Sequence, residues 1–329
     1  MKKLLKLIIL VAFSVLIFLT VYFSNNLKIT VYNSLVFCAE TIIPSLLPML
    51  FTSYVLINSN VIFWLPQKTT GLFLFILSSV CGYPSGSKIF SSLKIEKASV
   101  FIPITVCAGP AFIINFVGND LLNSKKIGVM IYFSLVLSNL IVYLFNGGYK
   151  ICIYKNTVNK SRNFILKSVK ESVETVTTIS SYLIIFSILT EIVRLCLGKK
   201  AKNIFTYLTE ITCGVTNAKN VYLVCALLSF GGICVFMQIL SISENADIKL
   251  FAYLKTRIIC GTFSLIFLKI MLKIFPQTVY TFTNLEGSPS ISVNSGKTYV
   301  ITLIFTLLSL LISSTHSSTG KFLKDIEVI

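Results

Sequence analysis

The sequence predicts an all-α polytopic membrane protein, on three observations. Hydrophobic residues make up 55% of the 329-residue chain and charged residues only 12%, about half the usual share of a soluble domain. The apolar residues fall in blocks close to the roughly 20 residues that a spanning helix needs. Several blocks are interrupted in mid-run by Gly, Pro and Ser, and lipid tolerates such breaks only where protein or a wet cavity surrounds them.

The blocks follow in order. Residues 4–23 form an N-terminal transmembrane helix behind Lys2, Lys3 and Lys6; the apolar run is long for a signal peptide, and no Ala-x-Ala site follows. Residues 31–58 are interrupted by Pro44 and Pro48. Blocks 70–90 and 98–118 carry the strings GYPSGSK (Gly82 to Lys88) and CAGPAF (Cys107 to Phe112), and 127–146 is unbroken. A basic segment with Lys150, Lys155, Lys160, Arg162, Lys167 and Lys170 reads as a cytoplasmic loop. Blocks 172–198, 203–218, 221–241 and 249–274 follow, with the breaks ITCGVTNAKN (Ile211 to Asn220) and LLSFGG (Leu227 to Gly232). A weakly charged external loop leads to a last span at 298–314 and a polar tail.

Charge tests the topology. With the N-terminus inside, and with 31–58 and 172–198 as re-entrant hairpins, nineteen of the twenty-nine basic residues fall inside, the bias expected of cytoplasmic loops. Each half then holds one hairpin and three spans, and the hairpins enter from opposite sides. That is an inverted-topology repeat, an architecture of many secondary transporters. A count treating each hairpin as a full span conserves overall parity and stays open.

The net charge of +17 belongs to this loop bias, and no compact basic module for nucleic acid is present. Nine cysteines include no CxxC pair, so no zinc site or disulfide framework is indicated. No HExxH or GxSxG occurs, and the single histidine, His316, sits in the polar tail. An enzyme is not expected, and neither catalytic residue, cofactor nor metal ligand set is assigned.

The candidate binding residues lie at the breaks. Gly82 and Gly86 permit unusual backbone conformations, Pro84 removes a donor, and Ser85 and Ser87 add small polar groups. A hinge or close-packing role is the alternative. Glu210 precedes the second-half break, where an acid suits cation or proton coordination; an interfacial carboxylate facing water is the other reading. Thr212, Asn217 and Gln238 complete a polar set near Glu210, and Pro110, Gly231 and Gly232 mark the neighbouring breaks. Glu191 and Arg194 share a helix face and are spaced to pair. Arg257 reads as a snorkelling side chain near the inner surface.

Five strings resemble, in the same order, the YlbJ-like sporulation integral membrane proteins. They are ETIIPSLLPMLF (Glu40 to Phe51), CGYPSGSK (Cys81 to Lys88), GPAFIINFVG (Gly109 to Gly118), LTEITCGV (Leu208 to Val215) and SFGGICVFMQIL (Ser229 to Leu240), covering roughly residues 35–260. That family's relatives carry the Gate, or nucleoside-recognition, region shared with concentrative nucleoside transporters and FeoB-type iron transporters. The chain departs from the pattern at Ser87, where the family has Ala, and at Phe236, where it has His.

The resemblance implies two inverted Gate-like repeats and a role in endospore formation through the spore cortex. The expected organisation is an N-terminal transmembrane helix (1–27), a first Gate-like repeat (28–146), a basic cytoplasmic loop (147–170), a second Gate-like repeat (171–275), and an external loop with last span and tail (276–329). The expected protein is a multi-pass cell-membrane transporter of a small solute or ion, in contact with membrane lipid, binding no nucleic acid, and with self-association into a homo-oligomer left open. The alternative is a non-transporting assembly factor of the spore envelope.

Overall fold

The computed structural model describes residues 2–59, 61–64, 66–93, 95, 98–148, 163–218, 220–243, 248–276, 279–280 and 290–291. The last span and the polar tail lie outside the described residues, as do residues 149–162 of the basic segment. The described chain is helical apart from short connections and one pair of two-residue strands, Val279–Tyr280 against Ser290–Ile291. Among the described residues, four helices are long and apolar enough to cross a membrane: Ser24–Asn58, Lys125–Phe145, Phe164–Thr209 and Val221–Ile242. Large apolar side chains such as Ile29, Leu144, Ile185 and Ile270 stand exposed on the helices, the surface that a lipid-facing bundle needs.

Two expected hairpins are overturned. Helix α1 (Lys2–Tyr22) is followed after one residue by α2 (Ser24–Phe37). A π-helical segment, Cys38–Ile42, leads directly into α3 (Ile43–Asn58), so residues 24–58 form one helix of 35 residues, about 52 Å long at ~1.5 Å per residue. Nothing doubles back within 31–58. Pro44 occupies the first turn of α3, where a missing N–H disrupts least, and the π turn before it is the local adjustment that lets the helix run on. The segment 172–198 is likewise helical. It belongs to α8 (Phe164–Thr209), which continues without a turn until Gly198, where φ 85° and ψ 179° divide it into arms 164–197 and 199–209. Because α8 starts at Phe164, Lys167 and Lys170 lie on its first turns and not in a loop extending to residue 170.

The chain doubles back at the breaks instead. Helices α4 (Gln67–Cys81) and α5 (Ser85–Ser92) are joined by Gly82, Tyr83 and Pro84. A Cβ built on Gly86 would lie 3.0 Å from Ser78 Cβ, whereas eight residues of straight helix would separate them by about 12 Å. Phe75 and Phe90 both pack on Tyr143, with ring centroids 4.9 and 6.5 Å away. These helices are therefore two arms of a hairpin, not the broken span expected at 70–90. The arm 199–209 and α9 (Ile211–Thr216) make a second hairpin in place of a span at 203–218. Gly214 lies against Thr206 and Tyr207, and the Tyr207 hydroxyl donates to the Asn217 carbonyl at 3.2 Å.

Each hairpin is followed by a broken span and a full helix. Helix α6 (Ala98–Thr105), residues 106–109 and a π-helical segment, Phe112–Leu121, run antiparallel to α7 (Lys125–Phe145). Phe101 meets Tyr143 at 5.3 Å, and the Asn139 amide donates to the Val106 carbonyl at 3.1 Å. A Cβ on Gly118 would come 2.8 Å from Gly128 Cα, the close backbone approach that lipid-embedded helices use in place of a hydrophobic driving force. Helices α10 (Val221–Phe230) and α11 (Gly232–Ile242) form the second broken span, before α12 (Leu250–Ile274).

The first helices of the two halves pack together, as do the last. Helices α2 and α3 lie along α8, joined where Tyr54 and Thr175 share a hydrogen bond of 2.7 Å and Asn58 donates to Ser168 and Glu171. Helix α7 lies along α12. The first hairpin gives a direct check. In a cysteine-free background, Ser78→Cys with Gly86→Cys should cross-link on mild oxidation, since disulfides need Cβ atoms about 4 Å apart. Absence of that bond, with a Phe75/Phe90 cysteine pair also silent, would mean that the arms are collinear.

Candidate functional site

Both hairpin tips end against the broken span of their own half. At the first tip Gly82 takes φ 75°, and a Cβ there would sit 2.6 Å from the Gly109 nitrogen, so only glycine lets the tip reach the break. The Tyr83 N–H donates to the Cys107 carbonyl at 2.8 Å. At the second tip Glu210 has extended backbone, φ −136° and ψ 119°. Gly232, at φ 71°, lies so close that its Cβ would be 2.9 Å from the Thr209 carbonyl oxygen.

The two tips, the first break and α11 beyond the second break surround one cavity of about 40 Å³. Tyr83, Ala108 and Gly109 line it from the first half, and Glu210, Thr212 and Gln238 from the second, with Leu46 and Phe112 among its apolar walls. Glu210 is 4% exposed, so it does not face bulk water. Its carboxylate accepts from the N–H groups of Thr212 at 2.8 Å and Cys213 at 2.6 Å. That cap satisfies donors at the start of α9 and leaves lone pairs on both oxygens, because a carboxylate has about four acceptor sites. Gln238, also 4% exposed, donates to Cys234 Sγ at 3.4 Å, while its Oε1 is buried without a partner among the described residues.

The remaining sequence candidates sit elsewhere. Ser85 and Ser87 are buried, but their hydroxyls donate to the carbonyls of Gly82 and Pro84. These hydroxyls add to the backbone hydrogen bonds that the same carbonyls accept from Gly86, Ser87 and Lys88, and neither serine lines the cavity. Gly86 seats α5 on Ser78. Pro84 lies in the tip, and Pro110 beside the cavity-lining Gly109. Asn217 is exposed and donates to the Cys213 carbonyl at 2.7 Å, closing the end of α9. Gly231, at φ 86°, marks the second break together with Gly232. Phe236 packs against Tyr253 with the rings tilted at 46° and their centroids 5.0 Å apart. Among the described residues no group of His, Cys, Asp and Glu side chains is placed to hold a metal.

A larger vestibule of about 620 Å³ adjoins the cavity and shares Leu183 and Thr212 with it. It is walled by α2, the long arm of α8, and the second hairpin. The Glu191–Arg194 ion pair lies on its wall: Arg194 Nε reaches both carboxylate oxygens at 2.9 Å, and Nη2 reaches Oε1 at 2.6 Å.

Arg257 overturns its expected place. It is 0% exposed and does not snorkel. Its Nε donates to the Ser229 carbonyl at 2.6 Å, and Nη1 to the Pro103 carbonyl at 3.3 Å and to Asn139 Oδ1 at 3.4 Å. Pro103 and Ser229 stand in the last turns of α6 and α10, where helical carbonyls have no partner. Both carbonyl-rich ends carry the negative pole of their helix. The guanidinium therefore has two helix termini as counter-charge, and no carboxylate pairs with it among the described residues. Hydropathy alone cannot reveal this, because it does not say which helix ends meet. Comparison with protein families, curated proteins and solved structures finds no match.

Arg257→Ala should cost about 3 kcal/mol of stability, since hydrogen bonds to a charged donor are worth ~1.5–3 kcal/mol each and the stranded carbonyls add to the loss. Arg257→Lys should recover little, because an ammonium lacks the planar fork that reaches separated acceptors. Thermal unfolding in detergent checks both; an unchanged Tm for Arg257→Ala would remove the clamp.

Proposed function

We propose that this chain is a transporter built on an inverted repeat, with its ion or proton site in the cavity at Glu210, Thr212 and Gln238. One observation carries the reading: the hairpin tips of both halves, the first break and the helix after the second converge on one largely apolar cavity into which Glu210, Thr212 and Gln238 bring polar groups. The halves also run through the same order of elements, a long helix, a hairpin, a broken span and a full helix. Between the two hairpins the chain has three crossings, at 98–121, 125–145 and 164–197. An odd number makes the hairpins enter from opposite sides, which is the inverted relation.

The size of the cavity decides what it holds. About 40 Å³ takes a few waters or one ion, since a water needs roughly 10–15 Å³. A nucleoside-sized ligand needs some 300 Å³ or more. The lone pairs of Glu210 and the unpartnered Gln238 Oε1 are cation acceptors. The vestibule, about fifteen times larger, is where an organic solute would sit. The resemblance of the five strings to YlbJ-like proteins is the support for reading this transport as part of endospore formation at the cell membrane, with the basic segment after α7 cytoplasmic. A non-transporting envelope factor would have no use for an orphan acceptor beside a buried acid.

Gln238→Leu is the cleaner test, because leucine fills the site and removes only the polar atoms. In a spore former lacking the gene, wild-type protein should restore heat-resistant spores, while Gln238→Leu and Glu210→Gln should restore few, although both reach the membrane. Full complementation by both variants would show that the cavity is not used for transport.

A further inference from the structure

We infer that the vestibule is a binding site for a small organic oxyanion bearing hydroxyl groups, a phosphate or carboxylate. Its volume of about 620 Å³ falls within the ~300–1,000 Å³ range of small-molecule sites. Two polar stripes face each other across it. Asn26, Thr30 and Asn33 follow one face of α2, and Ser187, Thr190 and Arg194 one face of α8, each at the three-to-four-residue spacing that keeps side chains on one side of a helix.

The charge balance of this lining selects an anion. Glu191, Arg194 and Lys202 are its charged residues, leaving one surplus positive charge. Glu191 engages Arg194 through Nε and Nη2, so Nη1 remains available. Lys202 has no ion-pair partner among the described residues. A guanidinium nitrogen and an ammonium lining one vestibule, on either side of the Gly198 break, are the donors that phosphate and carboxylate oxygens use.

The hydroxyls select what accompanies the anion. Thr30 donates to the Asn26 carbonyl at 3.3 Å, Ser34 to the Thr30 carbonyl at 2.9 Å and Thr216 to the Cys213 carbonyl at 3.0 Å. With their protons committed to backbone, these groups present lone pairs, which suit ligand hydroxyls as donors. Thr190 is 3% exposed and its hydroxyl has no partner among the described residues. A buried polar atom left unpaired needs a partner that the chain does not supply.

The ligand chemistry has two sources, a soluble hydroxylated phosphate or the glycerol-phosphate headgroup of an anionic lipid. The inference stands on the vestibule alone. Failure of transport leaves it intact, and failure of binding leaves the central cavity's role untouched.

Calorimetry and thermal shift on the full chain separate the sources. One arm uses neutral detergent with glycerol 3-phosphate, and with inorganic phosphate as the non-hydroxylated control. The other uses nanodiscs of phosphatidylcholine with and without phosphatidylglycerol. Saturable binding of glycerol 3-phosphate, tighter than inorganic phosphate, is expected, and Lys202→Gln and Thr190→Val should each weaken it about tenfold or more. Stabilisation by phosphatidylglycerol alone, lost in Lys202→Gln, would support the site with lipid as its occupant. Lys202 is half-buried at the vestibule wall, so its variant should fold with an unchanged ligand-free Tm. No saturable binding in either arm, or binding indifferent to both substitutions, overturns the proposal.

Discussion

The fold rests on one requirement: carbonyl groups freed inside the membrane must find donors in the protein. Breaking two spans in mid-course exposes the ends of α6 and α10, and no water is available to them in the packed bundle. Arg257 and Asn139 meet that need from the two full helices. Arg257 on α12 reaches the carbonyls of Ser229 and Pro103, one in each half, and its Nη1 also engages Asn139 on α7, whose amide serves Val106. The closest partners in the bundle, α7 and α12, thus hold the breaks of both halves in place. A buried charge without a carboxylate is ordinarily very costly. Here the alternative is several stranded acceptors and two uncompensated helix poles, so the cation and the breaks stabilise each other.

The hairpin tips depend on that arrangement. Once the spans are broken, their backbone is open to close approach, and glycine at 82 and 232 allows main chain to meet main chain. Serines do the local work: Ser85 and Ser87 bond the tip carbonyls, as Glu210 caps the second tip. Polar residues that looked available for a solute are largely engaged with backbone. Of the seven buried polar atoms left without a partner among the described residues, which include Arg257 Nη2 and the Tyr253 hydroxyl, the Gln238 oxygen lies at the central cavity and the Thr190 hydroxyl at the vestibule. A polar atom is informative in this site when the backbone has not claimed it.

Much of the architecture was legible because hydropathy and punctuation report on length and interruption. The helical blocks, the positions of the breaks and the nearness of Glu210 and Gln238 to the second-half breaks all came from strings such as GYPSGSK, LTEITCGV and SFGGICVFMQIL. Direction of the chain was not legible. Pro44 and Pro48 suggested a hairpin, yet a proline in the first turn, after a π turn, lets a helix continue. The real reversals, at Gly82–Pro84 and at Glu210, are short and lie between apolar arms that read as one span. Only the contact of Gly86 with Ser78, a property of three dimensions, separates a kinked span from a hairpin. Arg257 was misplaced for the same reason, since its partners are carbonyls more than twenty residues away in sequence.

The unequal volumes of the adjoining cavities bear on mechanism. The vestibule is roomy on the side where the second hairpin enters, whereas the space between the tips holds only an ion or a few waters. Leu183 and Thr212 form the boundary between them. Thr212 belongs to the mobile-sized unit of the fold, a hairpin arm of six residues attached through Glu210, while Leu183 sits on the long arm of α8, braced along α3 by Tyr54 and Thr175. A movement of the short hairpin against the fixed helix would join the two spaces without disturbing the Arg257 clamp, because none of its partners lies on α9. If the chain transports as proposed, such a division between a static frame and an element free to shift is what alternating access would need. On the proposed reading the fixed side is the long arm of α8 braced on α3, and the Glu210 cap sits at the joint, where a bound cation would compete with the hydrogen bonds that hold the start of α9.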